Sequence, residues 1–335
     1  MSIDRSRIVT ADAAGISEAV SVLRSRGLVG LPTETVYGLA ARANDSAAVA
    51  RIFQAKGRPA DHPVIVHIGS AEQVADWAIE IPDFARALMA LWPGPLTLVL
   101  RKRDEVSSGL TGGQDTIGLR MPAHPVALAV LRELGEAIAA PSANRFGQVS
   151  PTTAEHVFEG LADSLEPTDA ILDGGSCAVG VESTIVDCTS AQPRILRPGA
   201  ISAETVAAVA GVAVANDATS VPRVSGSLES HYAPSARVVL VEHSADVPAA
   251  ASAYCGSYGV EPLRIGVMGI ALTESANPWV QLLDAADTDA YAHGLYGALR
   301  AADTHGLAAV IAVMPPAVGI GIAVRDRLMR AAAGR

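Results

Sequence analysis

Aromatic residues make up only 4% of this 335-residue chain. Its cores must therefore be built from Ala, Val, Leu and Ile, which excludes broad aromatic binding platforms. Cysteine is equally scarce. Cys177, Cys188 and Cys255 are far apart, odd in number and form no C-x-x-C pair. That excludes a disulfide framework and a cysteine zinc site, and suits a reducing cytoplasm, the expected location. Positive charge is in deficit, with a formal net charge of -10. Broad nonspecific binding of nucleic acid needs a basic surface, so this balance argues against it while leaving room for a local cationic pocket. The opening "MSIDRSRIVTADAAG" has no apolar signal core. One uncharged run, "GLAAVIAVMPPAVGIGIAV" (306–324), is long enough to span a bilayer. Pro315-Pro316 and the glycines that follow interrupt it, so it reads as a buried strand, a turn and a glycine-rich helix start, and no membrane association is expected. No Walker loop, H-E-x-x-H, EF-hand or Rossmann fingerprint occurs, and no metal-ligand cluster is visible.

What is present is abundant core material. Half of the residues are hydrophobic and 18% are charged. The length suits two domains. The first two hundred residues alternate strand-like and helix-like segments. "GLVGLP" (27–32), "VIVHI" (64–68), "PLTLVLRK" (95–102) and "TIGLRMP" (116–122) read as strands. "NDSAAVARIFQAKG" reads as a helix, with caps offered by Asn44, Asp45 or Ser46 and a stop at Gly57. "HPVALAVLRELG" and "TTAEHVFEGL" are further helices. "AILDGG", "STIVDC" and "RILRPG" are short strands. Residues 212–235 lack periodicity and hold Pro, Ser, Gly and Asn, the composition of a linker. Beyond them, strands "ARVVLVEH", "LRIGVMGI" and "AAVIAVMP" alternate with two helices, "DAYAHGLYGALRAADTHG" and "AVRDRLMRAAAG". The predicted organisation is an α/β domain over 1–211, a linker over 212–235 and a smaller α/β domain over 236–335.

Chemistry gathers in a few stretches. "KGRPADHPVIVHI" (56–68) places Lys56, Arg58, His62 and His67 close together in an acidic chain. Lys56 shares a helix face with Val49, Ile52 and Phe53, so it is aimed at the interior or a cleft rim. It could equally complement the helix dipole or extend its head to water. His67, inside a strand, could be a satisfied structural histidine. Together these groups suit a highly charged anion such as a triphosphate. "LPTETVYGLAA" (31–41) brings Thr33, Glu34, Thr35 and Tyr37 to the end of a buried strand, where α/β sheets bind ligands. A plain surface turn with Gly38 at a tight bend is the alternative. "APSANRFGQVSPT" (140–152) offers Ser142, Asn144, Arg145 and Ser150. "GGSCAVGVESTIVD" (174–187) offers Glu182, Ser183 and Thr184, and "ILRPGAI" ends a strand with Arg197.

These segments, in this order and spacing, resemble the YrdC family. The linker stretch "SGSLESHYAP" and the later "LYGALRAADTHG" and "GIGIAVRDRLMRAA" are similar to the long, two-domain members. The resemblance implies a twisted mixed sheet with flanking helices and a concave site, followed by a smaller Rossmann-like α/β domain. It implies synthesis of L-threonylcarbamoyladenylate from L-threonine, bicarbonate and ATP, which begins N6-threonylcarbamoyladenosine formation at position 37 of tRNAs reading ANN codons. Lys56, Arg58, Ser142 and Asn144 match the family's catalytic signature. Thr35, His67, Arg120, Ala140 and Ser183 match its threonine pocket. His62, Thr116, Ser150, Arg197, His231 and Tyr232, beside the signature residues, match the nucleotide side. His62 departs from a common asparagine and Val64 from a common leucine. Mg²⁺ is expected with ATP, held mainly by phosphates and water. Hand-off to a tRNA threonylcarbamoyl transferase complex is implied, and direct contact with tRNA is left open. A related carbamoyl-transferring enzyme and an RNA-binding module of the same type are the alternatives. The linker, with Ser230, His231 and Tyr232, is expected to fold over the nucleotide as a lid.

Overall fold

The computed structural model describes residues 7–215, 222–226, 232–272 and 278–333. It divides into two compact units. One holds Met1–Phe146, Pro151–Ala178 and Glu182–Ser227; the other holds Gly147–Ser150, Val179–Val181 and Leu228–Arg335.

The first unit is built on a mixed sheet. Its strands are β1 (Ile8–Thr10), β2 (Val29–Leu31), β3 (Gly38–Arg42), β4 (Ile65–His67), β5 (Ala78–Ile79), β6 (Leu96–Lys102), β7 (Thr116–Arg120), β8 (Ile138–Ala139), β9 (Ala170–Asp173), β10 (Thr184–Asp187) and β11 (Arg194–Arg197). They lie in the order β1-β9-β2-β3-β8-β4-β7-β6-β10-β11, with β5 paired to β6. The central strands are short and buried on both faces, so they read as near-continuous apolar runs. Helices flank them. In Ser46–Lys56, the Asp45 carboxylate accepts from the amides of Ala47 and Ala48, and Gly57 ends the helix at φ 61°. Its buried face carries Val49, Ile52, Phe53 and Lys56, as the spacing predicts.

Gly38 is not at a tight bend, the alternative that the sequence left open. It is the first residue of β3, paired antiparallel with Leu31 of β2. A Cβ added there would stand 3.1 Å from the Ala140 Cβ, so the missing side chain serves close approach of two segments. Gly38 also bridges to Ser142. Leu39 N donates to the Pro141 carbonyl at 2.8 Å, and Ala143 N to the Tyr37 carbonyl at 2.8 Å. The loops following β2 and β8 are thus zipped side by side.

The second unit carries an all-parallel sheet, ordered β12 (Arg237–Val241), β15 (Ala309–Val313), β13 (Ile265–Ile270), β14 (Val280–Ala285). Helices Val247–Tyr258, Thr288–Thr304 and Gly321–Ala332 accompany it. The uncharged run at 306–324 resolves into buried β15, an irregular segment through Pro315-Pro316 that turns at 317–320, and the start of the last helix. No described helix is long and apolar enough to cross a membrane.

One buried ion pair ties the sheet that presents the site. The Asp169 carboxylate accepts from the amides of Leu28 and Glu166, each at 2.7 Å, and meets Arg51 Nη2 at 2.9 Å. Leu28 leads into β2. Removing the Asp169 carboxylate leaves the amides of Leu28 and Glu166 without their acceptor and takes one of two carboxylates from Arg51, which keeps Glu166. Asp169→Ala is therefore expected to lower unfolding free energy by about 3 kcal/mol, measured by urea denaturation. A loss under about 1 kcal/mol would show the pair to be dispensable.

Candidate functional site

Two clusters form along one end of the first unit. The first is anchored by Arg120, the last residue of β7, which lies in register with His67 on β4. Arg120 is buried and its guanidinium is held from several sides. Nε donates to the Gly94 carbonyl at 3.3 Å and Nη1 to Thr35 Oγ1 at 2.9 Å. Nη2 lies 2.6 Å from Glu34 Oε1. The Thr35 hydroxyl pairs with that of Thr33 at 2.9 Å. Burial, and then the Arg120 charge, lowers the His67 pKa to about 3. His67 is therefore a neutral imidazole and adds no cation. Burial likewise lowers the His62 pKa, with Arg58 adding to the effect. The cationic character read from residues 56–68 thus rests on Lys56 and Arg58.

The second cluster is cationic. Lys56, at the end of its helix, is only 2% exposed. Its ammonium donates to the carbonyls of Ser142 and Asn144. Burial, and then Arg58, pulls its pKa well below the ordinary value. The two carbonyls favour the charged form, as an arriving phosphate would. Arg58 Nη2 donates to the Pro63 carbonyl at 2.8 Å and to Ser225 Oγ at 3.3 Å. Its guanidinium lies over the Phe146 ring, 5.8 Å from the centroid, and His62 meets the same ring edge-on at 5.2 Å. Arg197 donates through Nε and Nη2 to the Ser183 carbonyl, and through Nη1 to the Ser225 carbonyl at 2.9 Å. Ser225 thus bridges Arg58 and Arg197.

Ser183 extends the cationic cluster toward β6. Its hydroxyl meets Thr97 Oγ1 at 2.8 Å and Arg197 Nη2 at 3.1 Å. Ala140 N donates to the Ile65 carbonyl at 3.0 Å, which seats the loop carrying Ser142 and Asn144 beside β4. Thr116 lines a cavity with Thr97, Ile185 and Val224; about 20 Å³ of it remains open. Val224 is buried against Val99 and Ile185.

The remaining nucleotide-side candidates belong to the second unit or lie outside the described residues. Ser150 belongs to the second unit, where its carbonyl accepts from Arg300 Nε at 3.5 Å. Tyr232 is buried in the same unit, stacked on Tyr296 at 5.6 Å with Arg327 over its ring at 5.3 Å. His231 lies outside the described residues, as does Ser230. Sequence reasoning did not place Thr97, Phe146 or Ser225 in the site, and it noted Glu34 at the ligand-binding end of a strand without giving it a role. Thr97 left one signal, a polar residue inside the apolar run "PLTLVL". Ser225 left none, because its role depends on where the linker docks.

Fold and clusters define an α/β protein whose buried arginines and lysine suit anionic substrates, with hydroxyls set among them. Comparison with known proteins gives the family. Residues 21–199 match the family model Sua5_yciO_yrdC, described as "Telomere recombination", and residues 201–333 match "Threonylcarbamoyl-AMP synthase, C-terminal domain". A Bacillus subtilis protein named threonylcarbamoyl-AMP synthase is 41% identical over 333 residues, spanning 96% of this chain and 93% of that protein. A Pyrococcus abyssi protein of the same name is 42% identical, spanning 95% and 94%. The crystal structure of P. abyssi Sua5 complexed with L-threonine superposes with a TM-score of 0.89 at 38% identity, covering 98% of both chains. The chain belongs to the Sua5/YrdC family, in its form with the C-terminal domain.

Two measurements probe the site. Lys56→Ala removes a cation and unties the Ser142–Asn144 loop. Lys56 is packed on the inward face of its helix, so some loss of stability should accompany at least a tenfold fall in turnover. Wild-type turnover in this variant would contradict the assignment. His67, neutral when folded, must gain a proton in acid. The unfolded chain binds that proton from about pH 6.5 downward and the folded chain only near its pKa of about 3. Stability should therefore fall as pH drops through that window, and His67→Gln should flatten the fall. An unchanged slope in the variant would show that other groups carry it.

Proposed function

We propose that this protein makes L-threonylcarbamoyladenylate from L-threonine, bicarbonate and ATP, with release of pyrophosphate and water. The observation that carries the reading is the pair of linked clusters, one arginine set among hydroxyls and a separate group of three buried cations. The reaction needs that arrangement. Threonine is converted to a carbamate, and a carbamate oxygen then displaces pyrophosphate from the α-phosphorus. The nucleophile is already an anion, so this step calls for alignment of two anions and stabilisation of the leaving group. Arg120 takes the threonine carboxylate, while Thr35, Ser183 and the neutral His67 offer hydrogen bonds to the hydroxyl. Lys56, Arg58 and Arg197 offset the phosphates, and Ser142 and Asn144 frame them. The magnesium that accompanies ATP takes its ligands chiefly from phosphate oxygens and water in this reading. The free thiols suit a cytoplasmic setting. The product would serve a transferase that modifies adenosine 37 of tRNA.

The described part of the linker supports a covering role. Arg223 donates to the Gly112 carbonyl at 3.0 Å, Val224 fills the cavity beside Thr116, and Ser225 contacts both Arg58 and Arg197. A segment seated on phosphate-binding groups must shift or adjust when nucleotide arrives. Excluding water would protect the mixed anhydride.

Release of pyrophosphate from ATP, assayed without tRNA, should require both threonine and bicarbonate. Release that is independent of threonine would overturn the reading. Valine should be a far poorer substrate than threonine, because a site that hydrogen-bonds a hydroxyl rejects the analogue lacking it; equal turnover would mean that the pocket reads shape alone. ATP and threonine together should slow proteolysis between 212 and 235, and equal cleavage with and without them would make the segment only a tether.

A further inference from the structure

Glu34 sits in the loop between β2 and β3 and is 8% exposed. Neither carboxylate oxygen accepts an aligned hydrogen bond from the described residues. Its ionic partner is Arg120 Nη2, close in distance but off the hydrogen-bonding direction. The contrast with Asp169 is direct. That buried carboxylate is satisfied by two backbone amides and a guanidinium, as a structural ion pair should be. Glu34 has the burial without the satisfaction. Such a group is costly unless something else fills it.

The charges suggest what fills it. Arg120 and Glu34 form a buried positive–negative pair beside the Thr35 hydroxyl. An α-amino acid carries the opposite pair, an anionic carboxylate and a cationic ammonium on one carbon. We propose that Glu34 holds the α-ammonium of the amino-acid substrate and takes the proton it must lose to become a nucleophile. The inference rests on the function proposed above and adds the acceptor which that chemistry requires.

The step balances. The ammonium gives one proton to the Glu34 carboxylate, freeing the nitrogen lone pair. Nitrogen attacks the carbon of bicarbonate and an N–C bond forms. The C–OH bond breaks, and the departing hydroxide leaves as water with a second proton from nitrogen. The products are the carbamate anion, water and a neutral Glu34 carboxyl group, which returns its proton to solvent.

The titratable groups facing Glu34 do not compete for this role. Arg120 is a permanent cation. Burial raises the Cys177 thiol to about 12, with the Glu34 charge adding to the rise. His124 is half-buried and its Nδ1 accepts from Val126 N at 3.3 Å; burial lowers its pKa, against the charge of Glu34. Beyond them, His67 is a weak base and Lys56 is committed to two carbonyls.

The test uses Glu34→Gln in the full-length protein, with Glu34→Asp as a folded, charge-retaining control. Calorimetric binding is compared for L-threonine and for 2,3-dihydroxybutanoate, which carries a hydroxyl in place of the ammonium. The wild type and Glu34→Asp should favour threonine by at least about tenfold, and Glu34→Gln should lose that preference. The kcat/KM of Glu34→Gln for threonine should rise by roughly tenfold per pH unit between pH 7 and 9, because the free amine must then come from solution. The wild-type profile should be flatter. Equal weakening of both ligands with an unchanged pH profile would reduce Glu34 to a support for Arg120 and overturn the inference. Wild-type protein that binds neither ligand would overturn the substrate reading, and this inference with it.

Discussion

A lysine ammonium sealed from water holds this site in shape. Lys56 reaches across from the end of its helix to the carbonyls of Ser142 and Asn144. Isolated in apolar surroundings, that charge would be lost to deprotonation. Two carbonyl dipoles oppose that loss, and by accepting from the lysine nitrogen they fix the loop after β8. That loop is zipped to Tyr37–Leu39, which follows the strand loop carrying Thr33, Glu34 and Thr35. One buried cation thus sets the spacing between the walls of both clusters.

The same logic governs the arginines. Arg120, Arg58 and Arg197 are each buried, and each spends part of its guanidinium on backbone carbonyls. Carbonyls position a guanidinium without cancelling its charge. Arg120 also has the Glu34 carboxylate beside it. An acidic protein can in this way keep a strongly cationic interior site: the acidic surface supplies the net charge, and the local potential is set by a few shielded groups.

Much of the fold was legible because its signals are local. Asp45 and Gly57 bracket a helix whose apolar spacing pointed Lys56 inward. The runs at 64–68, 95–102 and 116–122 were short, apolar and bounded by turns, and each is a strand. β3 was hidden because Gly38, Ala40 and Ala41 have low strand propensity; its pairing with β2 and β8 overrides that preference. The helix Val247–Tyr258 was missed for a related reason, since its alanines and serines leave little contrast between faces. In the site, motif resemblance found most of the first unit's polar groups. Glu34 was noticed as polar but not assigned, because a carboxylate in a turn is ordinary until its burial is known. Ser225 depended wholly on tertiary placement. Tyr232, matched to the nucleotide side, is packed between Tyr296 and Arg327 in the second unit.

The central claim is that two preformed sets of cations divide the two anionic substrates between them. The most direct measurement is a crystal structure of the protein with L-threonine and a nonhydrolysable ATP analogue. The account predicts the threonine carboxylate on Arg120 and the phosphates on Lys56, Arg58 and Arg197, with the threonine nitrogen and the α-phosphorus facing each other. Phosphates seated on Arg120, or a nucleotide bound without contact to Lys56 and Arg58, would contradict it.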